Sequence, residues 1–158
     1  MAKSKTMTAG LPKWNLSDLY TSPKSRKLKT DLLWTKNQSE KFRMTYKGKL
    51  KTLDGQGLGC AIMQYETIVE RTGKIISYGQ LLHATFMSDS GVSAFFQNLQ
   101  ERVTEISLET MFFTLEINRL SSAVLKRQLK HPKAAHYAPW VRDCRAFRNY
   151  QLSDELEK

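Results

Sequence analysis

The sequence predicts an all-α protein, an antiparallel bundle of about six helices joined by short loops and preceded by an extended N-terminal segment. Three observations carry this reading. Apolar residues recur at three- and four-residue steps through most of the chain, the period of one helix face, whereas the alternation expected of a half-buried strand is scarce. Ser, Asp and Pro fall just ahead of the periodic stretches and Gly or Pro just behind them, as helix starts and stops require. No internal repeat or low-complexity linker divides the 158 residues, 41% of them hydrophobic, so the chain is long enough for one domain with one core.

Taken in order, residues 1–21 lie outside any helical pattern, and Trp14 and Tyr20 in LPKWNLSDLY are expected to pin this segment against the bundle. Aromatic stacking on nucleic-acid bases is the alternative. A helical lobe over residues 22–152 opens with SPKSRKLKTDLLWTKNQSEKFRMTY, where Ser22 is the expected N-cap, Pro23 takes the first helical position and Gly48 closes the helix. Leu58, Ile62, Tyr65 and Val69 mark a second helix ending near Gly73, and Ile75, Tyr78, Leu82 and Phe86 a third. Asp89 caps a long fourth helix through Asn118, whose stripe is Val92, Phe96, Leu99, Val103, Ile106, Thr110, Phe113 and Ile117. Leu108, Met111, Phe112 and Leu115 widen its apolar surface. Ser121 or Ser122 caps a fifth helix over residues 123–130, which Pro132 stops, and Pro139 opens a last piece through about Phe147. In SDELEK, residues 153–158, Ser153 is a good N-cap followed by acids suited to a helix start, so the sequence looks truncated as a new helix begins.

The net charge of +10 is unevenly placed. Residues 1–51 hold thirteen Lys or Arg against three acids, and residues 52–158 hold twelve of each. A basic first third is able to meet a phosphate backbone, but a lysine-rich solvated face is the simpler reading, and no zinc-finger, RNA-recognition or KH-type signature accompanies it. With no long apolar run and no apolar stretch behind the basic N-terminus, the sequence offers neither a membrane span nor a secretory signal, and a cytoplasmic protein is expected. Cys60 and Cys144 lie far apart without a CxxC partner, which suits reduced thiols.

Several stretches resemble sites of chemistry and fall short on spacing. HPKAAH places His131 and His136 five residues apart, which turns the second ring about 140° from the first on a regular helix, and Pro132 stands where a metallopeptidase HExxH has its Glu. This stretch is read as a loop, and His83 as a core or edge residue. Gly55, Gly57 and Gly59 in DGQGLGC suggest a phosphate-cradling turn, yet Cys60 stands where the third glycine is needed and no strand precedes it. Ser93 in GVSAF sits in an ordinary helix rather than a nucleophile elbow. Arg142 and Arg145 would lower the pKa of the Cys144 thiol, but no histidine base is placed beside it. Glu101, Glu105 and Glu109 recur every four residues and are read as a solvated face. Arg142, Arg145 and Arg148 recur every three and are expected to pair with acids on adjacent structure. No catalytic, cofactor-binding or metal-ligating residue is assigned.

LPKWNLSDLY, SYGQLLHATFMSD, FFTLEINRL and APWVRDCRAFRNYQLSDELEK, in that order, resemble the N-terminal part of oligoendopeptidase F, among the thimet-oligopeptidase-like zinc metallopeptidases. The resemblance runs from about residue 11 to the last residue. It implies an all-α lobe that precedes a larger helical catalytic domain, the two enclosing a deep channel that admits oligopeptides and excludes folded proteins. The family's zinc is held by HExxH and a downstream Glu that no residue here matches, so no cofactor is expected in this chain and no activity from it alone. Family members commonly carry Pro and His after the AFR segment, where this chain has Asn149 and Tyr150. The expected partners are a catalytic domain or separate catalytic chain, oligopeptide substrates in the whole enzyme, and a second copy through an exposed interface. A stand-alone helical interaction module is the alternative function, and a basic nucleic-acid-binding domain is the less favoured one.

Overall fold

Three long helices carry the fold and three short ones close one end of it. The computed structural model describes residues 15–146 and 148–150: α1 Arg26–Tyr46, α2 Gly55–Thr85, α3 Ser90–Arg119, α4 Ser122–Gln128, α5 Pro132–Ala135 and α6 Ala138–Arg145, with 3₁₀ turns at Leu50–Thr52 and Arg148–Tyr150. No strand occurs among the described residues, so the protein is all-α as predicted. Trp14 and residues 153–158 lie outside them.

The count of six helices agrees with the sequence reading, but its composition does not. α1 starts three residues later than predicted, because the Ser25 hydroxyl, not Ser22, accepts from the Leu28 N–H at 3.2 Å, while Ser22 and Pro23 precede the helix. Gly48 does close α1, at φ +76°, a left-handed conformation that suits a residue without Cβ. The predicted second and third helices are one 31-residue helix, α2. An interior glycine costs about 1 kcal/mol of helix propensity, and burial of Ile68 and Ile75 on either side of Gly73 outweighs that. Asp54 starts α2 by accepting from the Gly57 N–H at 2.6 Å, and Asp89 starts α3 by accepting from Gly91 and Val92 at 2.8 and 3.0 Å. Ser121 caps α4. Pro132, expected only as a stop, is the first residue of α5, where its missing N–H has no helical partner to lose. HPKAAH is therefore a helical turn, not a loop.

α1, α2 and α3 pack pairwise, up, down and up, around two apolar clusters. Tyr20, Leu28, Leu32, Ile75, Tyr78 and Leu99 form one near the start of α1, with the Tyr20 ring edge-on to Tyr78 at 5.3 Å. The larger cluster joins Phe42, Tyr46, Leu58, Ile62, Phe113 and Ile117 to Leu125, Ala134 and Val141 of the short helices. Between them α1 contributes fully buried Thr35 and Ser39, and α3 contributes Thr110. Each of these hydroxyls donates to a carbonyl in its own helix, so no buried donor is stranded. The expected stripe on α3 is seen in buried Leu99, Ile106, Thr110, Phe113 and Ile117, whereas Leu108 of the second stripe is 50% exposed.

Candidate functional site

In the stretch from Glu116 to Arg145, three polar side chains, Glu116, Gln128 and Arg145, are tied to backbone groups. α3 ends at Arg119, and its last carbonyls need partners that the helix cannot supply. Arg145, on α6, provides them: one of its terminal amino groups donates to the carbonyls of Ile117, Asn118 and Leu120 at 3.0, 3.1 and 2.7 Å. A cation at the negative end of a helix dipole is favourable, and hydrogen bonds from a charged donor are the stronger kind. Partial burial, and then Arg148 nearby, push the Arg145 pKa down. Gln128, fully buried at the end of α4, donates from its amide to the Leu50 and Leu53 carbonyls at 2.9 and 2.8 Å, holding the connector between α1 and α2. Glu116 receives the Gly48 N–H of the same connector at 2.7 Å.

The glycines before α2 belong to this assembly. A Cβ on Gly55 would overlap the Gln128 carbonyl and the His131 side chain, and one on Gly59 would stand 2.7 Å from the Lys133 carbonyl carbon and 2.9 Å from the Ala134 nitrogen. Four residues apart, the two share one helix face, and their missing side chains let α5 lie against α2. Gly57 meets the Asp54 carboxylate that caps the helix. The spacing read as a possible phosphate turn is thus a close-packing device with a carboxylate at its mouth.

The remaining candidates are placed as follows. His131 uses Nδ1 to accept from the Lys133 N–H at 3.2 Å as the N-cap of α5, and His136 meets the Tyr137 ring edge-on at 4.9 Å. His83 stacks on Phe96. Among the described residues, no group of three or more His, Cys, Asp or Glu is placed to hold a metal ion. The Cys144 thiol is pushed up, first by burial and then by the Asp143 carboxylate, the opposite of the lowering expected from its arginine neighbours. Arg142 does pair with an acid, its sequence neighbour Asp143, at 3.0 Å, and this exposed pair adds little. The arginines therefore do not act as one acid-binding face, since Arg145 serves carbonyls. Of the three glutamates, Glu101 and Glu105 are exposed as expected, while Glu109 reaches across to Arg43 on α1 at 3.1 Å. The lysines of α1 are exposed, consistent with a solvated face.

An aromatic cluster, Phe42, Tyr65, Phe112, Phe113 and Trp140, joins α6 to all three long helices; Trp140 lies 5.7 Å from Tyr65 and 6.3 Å from Phe113, centroid to centroid. At the far end Tyr20 acts as the pin predicted for it. Its hydroxyl donates to Asp31 at 3.0 Å, Asp31 lies 3.7 Å from Arg71, and the Arg71 guanidinium covers the Trp34 ring at 3.8 Å. The roles of Gln128, Arg71 and Trp34 carried no signal in sequence, because each depends on a partner more than thirty residues away.

No helix among the described residues is long and apolar enough to cross a membrane. No curated protein and no solved structure matches the chain. Residues 116–158 match the family model for oligopeptidase F, the N-terminal domain of these peptidases. The match covers about a quarter of the chain, begins in the last turn of α3 and includes α4, α5 and α6. FFTLEINRL overlaps its start, and APWVRDCRAFRNYQLSDELEK lies wholly within it. Residues 116–158 are thus similar to the N-terminal domain of oligopeptidase F, and α4, α5 and α6 within that stretch share the larger core cluster with the helices before them.

Proposed function

We propose that this chain forms the non-catalytic N-terminal helical lobe of an oligopeptidase F-type zinc metalloendopeptidase and, in the whole enzyme, walls the channel through which oligopeptides reach the metal. The observation that carries this reading is the family match over residues 116–158. Its reach extends to the rest of the lobe because Gln128 holds the connector between α1 and α2, and the Gly55–Gly59 face of α2 seats the matched segment's α5 by close backbone approach.

The residues present do not fit the family's zinc. HExxH does not occur in the sequence, and His131, the histidine nearest in type to such a site, has committed Nδ1 to a backbone N–H. No hydrolytic step is assigned to this chain. Its part is steric, and its contact with the catalytic half is best supported on the α1–α3 side. There Leu33 and Met44 on α1 are 61% and 71% exposed, and Leu108 on α3 is 50% exposed. A contiguous apolar patch marks a surface that is covered in use, and these three are the large apolar side chains that α1 and α3 expose.

The test is to immunopurify the protein from its native cells and sequence it by mass spectrometry. An HExxH peptide in the same polypeptide, or in a tightly bound second one, with zinc-dependent cleavage of a fluorogenic oligopeptide, is the expected result. Leu33→Glu and Met44→Glu should weaken that association without loss of helicity. A protein that purifies without any HExxH sequence overturns the reading, and one that self-associates through Leu33 and Met44 favours the interaction-module alternative.

A further inference from the structure

The close approach of α5 to α2 brings two reactive side chains together. A Cβ on Gly59 would stand 2.9 Å from the Lys133 Cβ, so the lysine stem starts almost on top of α2. It ends on the next residue of that helix: the Lys133 ammonium donates to the Cys60 sulfur, Nζ to Sγ 3.3 Å. Among the described residues no carboxylate pairs with Lys133, and the thiol is the partner of its amine. Lys133 is exposed and Cys60 half-buried, which leaves the sulfur open to a small solute. The other cysteine is built differently. Cys144 is pushed up by burial and then by the Asp143 carboxylate, and no amine donates to it among the described residues.

Oxidation gives this contact a chemical outcome. A thiol attacked by a peroxide becomes a sulfenic acid, which condenses with a thiol to a disulfide or with a nitrogen to a sulfenamide. The nitrogen that such a condensation needs is already at the sulfur, and the flexible four-carbon stem of a lysine closes the remaining gap without movement of the backbone.

We propose that Cys60 and Lys133 form a reversible covalent staple between α2 and α5, a sulfenamide made at the expense of one hydroperoxide molecule. In the first step the Cys60 thiolate attacks a peroxide oxygen. An S–O bond forms, the O–O bond breaks, and the Lys133 ammonium gives its proton to the departing oxygen, which leaves as water or an alcohol. Sulfur is oxidised by two electrons and the peroxide is reduced. Lys133 is now a neutral amine beside a sulfenic acid. Its lone pair attacks the sulfur, the S–N bond forms as the S–O bond breaks, and the hydroxyl leaves as water with a proton from the amine. Two molecules of a small thiol reverse the reaction, returning the free cysteine and lysine and leaving the reductant as its disulfide. The inference stands apart from the peptidase reading, since it uses only two side chains of this chain.

Peroxide treatment of the full chain carrying Cys144→Ser tests it. One equivalent of hydrogen peroxide should yield a monomer lighter by two hydrogen atoms. Its tryptic digest should hold one species joining Thr52–Arg71 to His131–Arg142, and dithiothreitol should dissolve that link. In the same background Lys133→Met and Lys133→Arg should give no link and should accumulate a sulfenic acid at Cys60 that dimedone captures. Arginine keeps a cation near the sulfur, so its failure to cross-link separates the need for an amine from the need for a charge. Dimedone capture at Cys60 as complete with Lys133 present as with arginine in its place overturns the proposal. A disulfide-linked dimer in place of the intramolecular species also overturns it.

Discussion

Gly59 and Gly73 lie in the same helix, so replacing each by alanine separates helix propensity from tertiary packing. Alanine gains about 1 kcal/mol over glycine in a helix interior, and this gain is common to both variants. At Gly73 a Cβ meets nothing within 4 Å, so Gly73→Ala should stabilise by about 0.5–1 kcal/mol. At Gly59 the new methyl would stand 2.7 Å from the Lys133 carbonyl carbon, 2.9 Å from the Ala134 nitrogen and 2.9 Å from the Lys133 Cβ. Two of these are backbone atoms of α5, which a rotamer change cannot move, so the helix itself must shift by several tenths of an ångström. Overpacking costs about 1–3 kcal/mol, and against backbone the upper part of that range, about 2–3 kcal/mol, applies; less the propensity gain of about 1 kcal/mol, Gly59→Ala should be destabilised by about 1–2 kcal/mol net. At about 2–4 °C per kcal/mol for a chain of this length, the two variants should differ in melting temperature by roughly 4–10 °C, Gly73→Ala above the parent and Gly59→Ala below it. Far-UV circular dichroism during heating, with urea titrations to check that the m-value is unchanged, reads the difference directly. A Gly59→Ala protein as stable as Gly73→Ala would refute the close approach of α5 to α2, and with it the assignment of the DGQGLGC glycines to packing.

Arg145→Met keeps the length of the side chain and removes the donors shared by three carbonyls at the end of α3. The variant should lose about 2 kcal/mol, and hydrogen exchange should accelerate first in the last turn of α3 and in α4; uniform acceleration through the bundle would contradict the local role. The hydroxyls of Tyr20, Tyr46, Tyr65 and Tyr78 are all pushed up, burial being the largest cause in each, so the folded state keeps its protons where the unfolded chain has lost them. Their stability contribution is full below the unfolded value of about 10 and falls as pH rises toward the folded values, so ultraviolet titration of the phenols should show ionisation above pH 10 accompanied by loss of helicity.

The long-period features were legible because they follow from local chemistry. Asp89 before α3, Gly48 after α1 and the stripe from Leu99 to Ile117 are each decided within a few residues, by a cap, a left-handed turn or a helical period. Where the structure departs from local pattern, burial decides, and burial depends on elements distant in sequence. Gly73 has the character of a terminator, but Ile68 and Ile75 are buried on either side of it, and Pro132 follows His131, an uncommon N-cap residue, so the start of α5 is marked only weakly. Cys144 follows the same rule. Its arginine neighbours in sequence point elsewhere in space, and burial with Asp143 raises its thiol pKa instead.

The same distinction bears on why the family match falls on residues 116–158. α1, α2 and α3 are held mainly by apolar packing, and a core tolerates exchange among hydrophobic residues when volume and pattern are kept. The matched segment is held differently. Glu116 must reach the Gly48 N–H, the Gln128 amide must serve two connector carbonyls, and the Arg145 guanidinium must serve three at a helix end. Each contact needs one side-chain length and one donor or acceptor type, and Arg and Lys are not equivalent where a planar fork is required. Sequence identity is therefore dictated more tightly at the capped end of the bundle than along it. A helical lobe can drift in its three long helices and still present a readable signature where α4, α5 and α6 clamp its end.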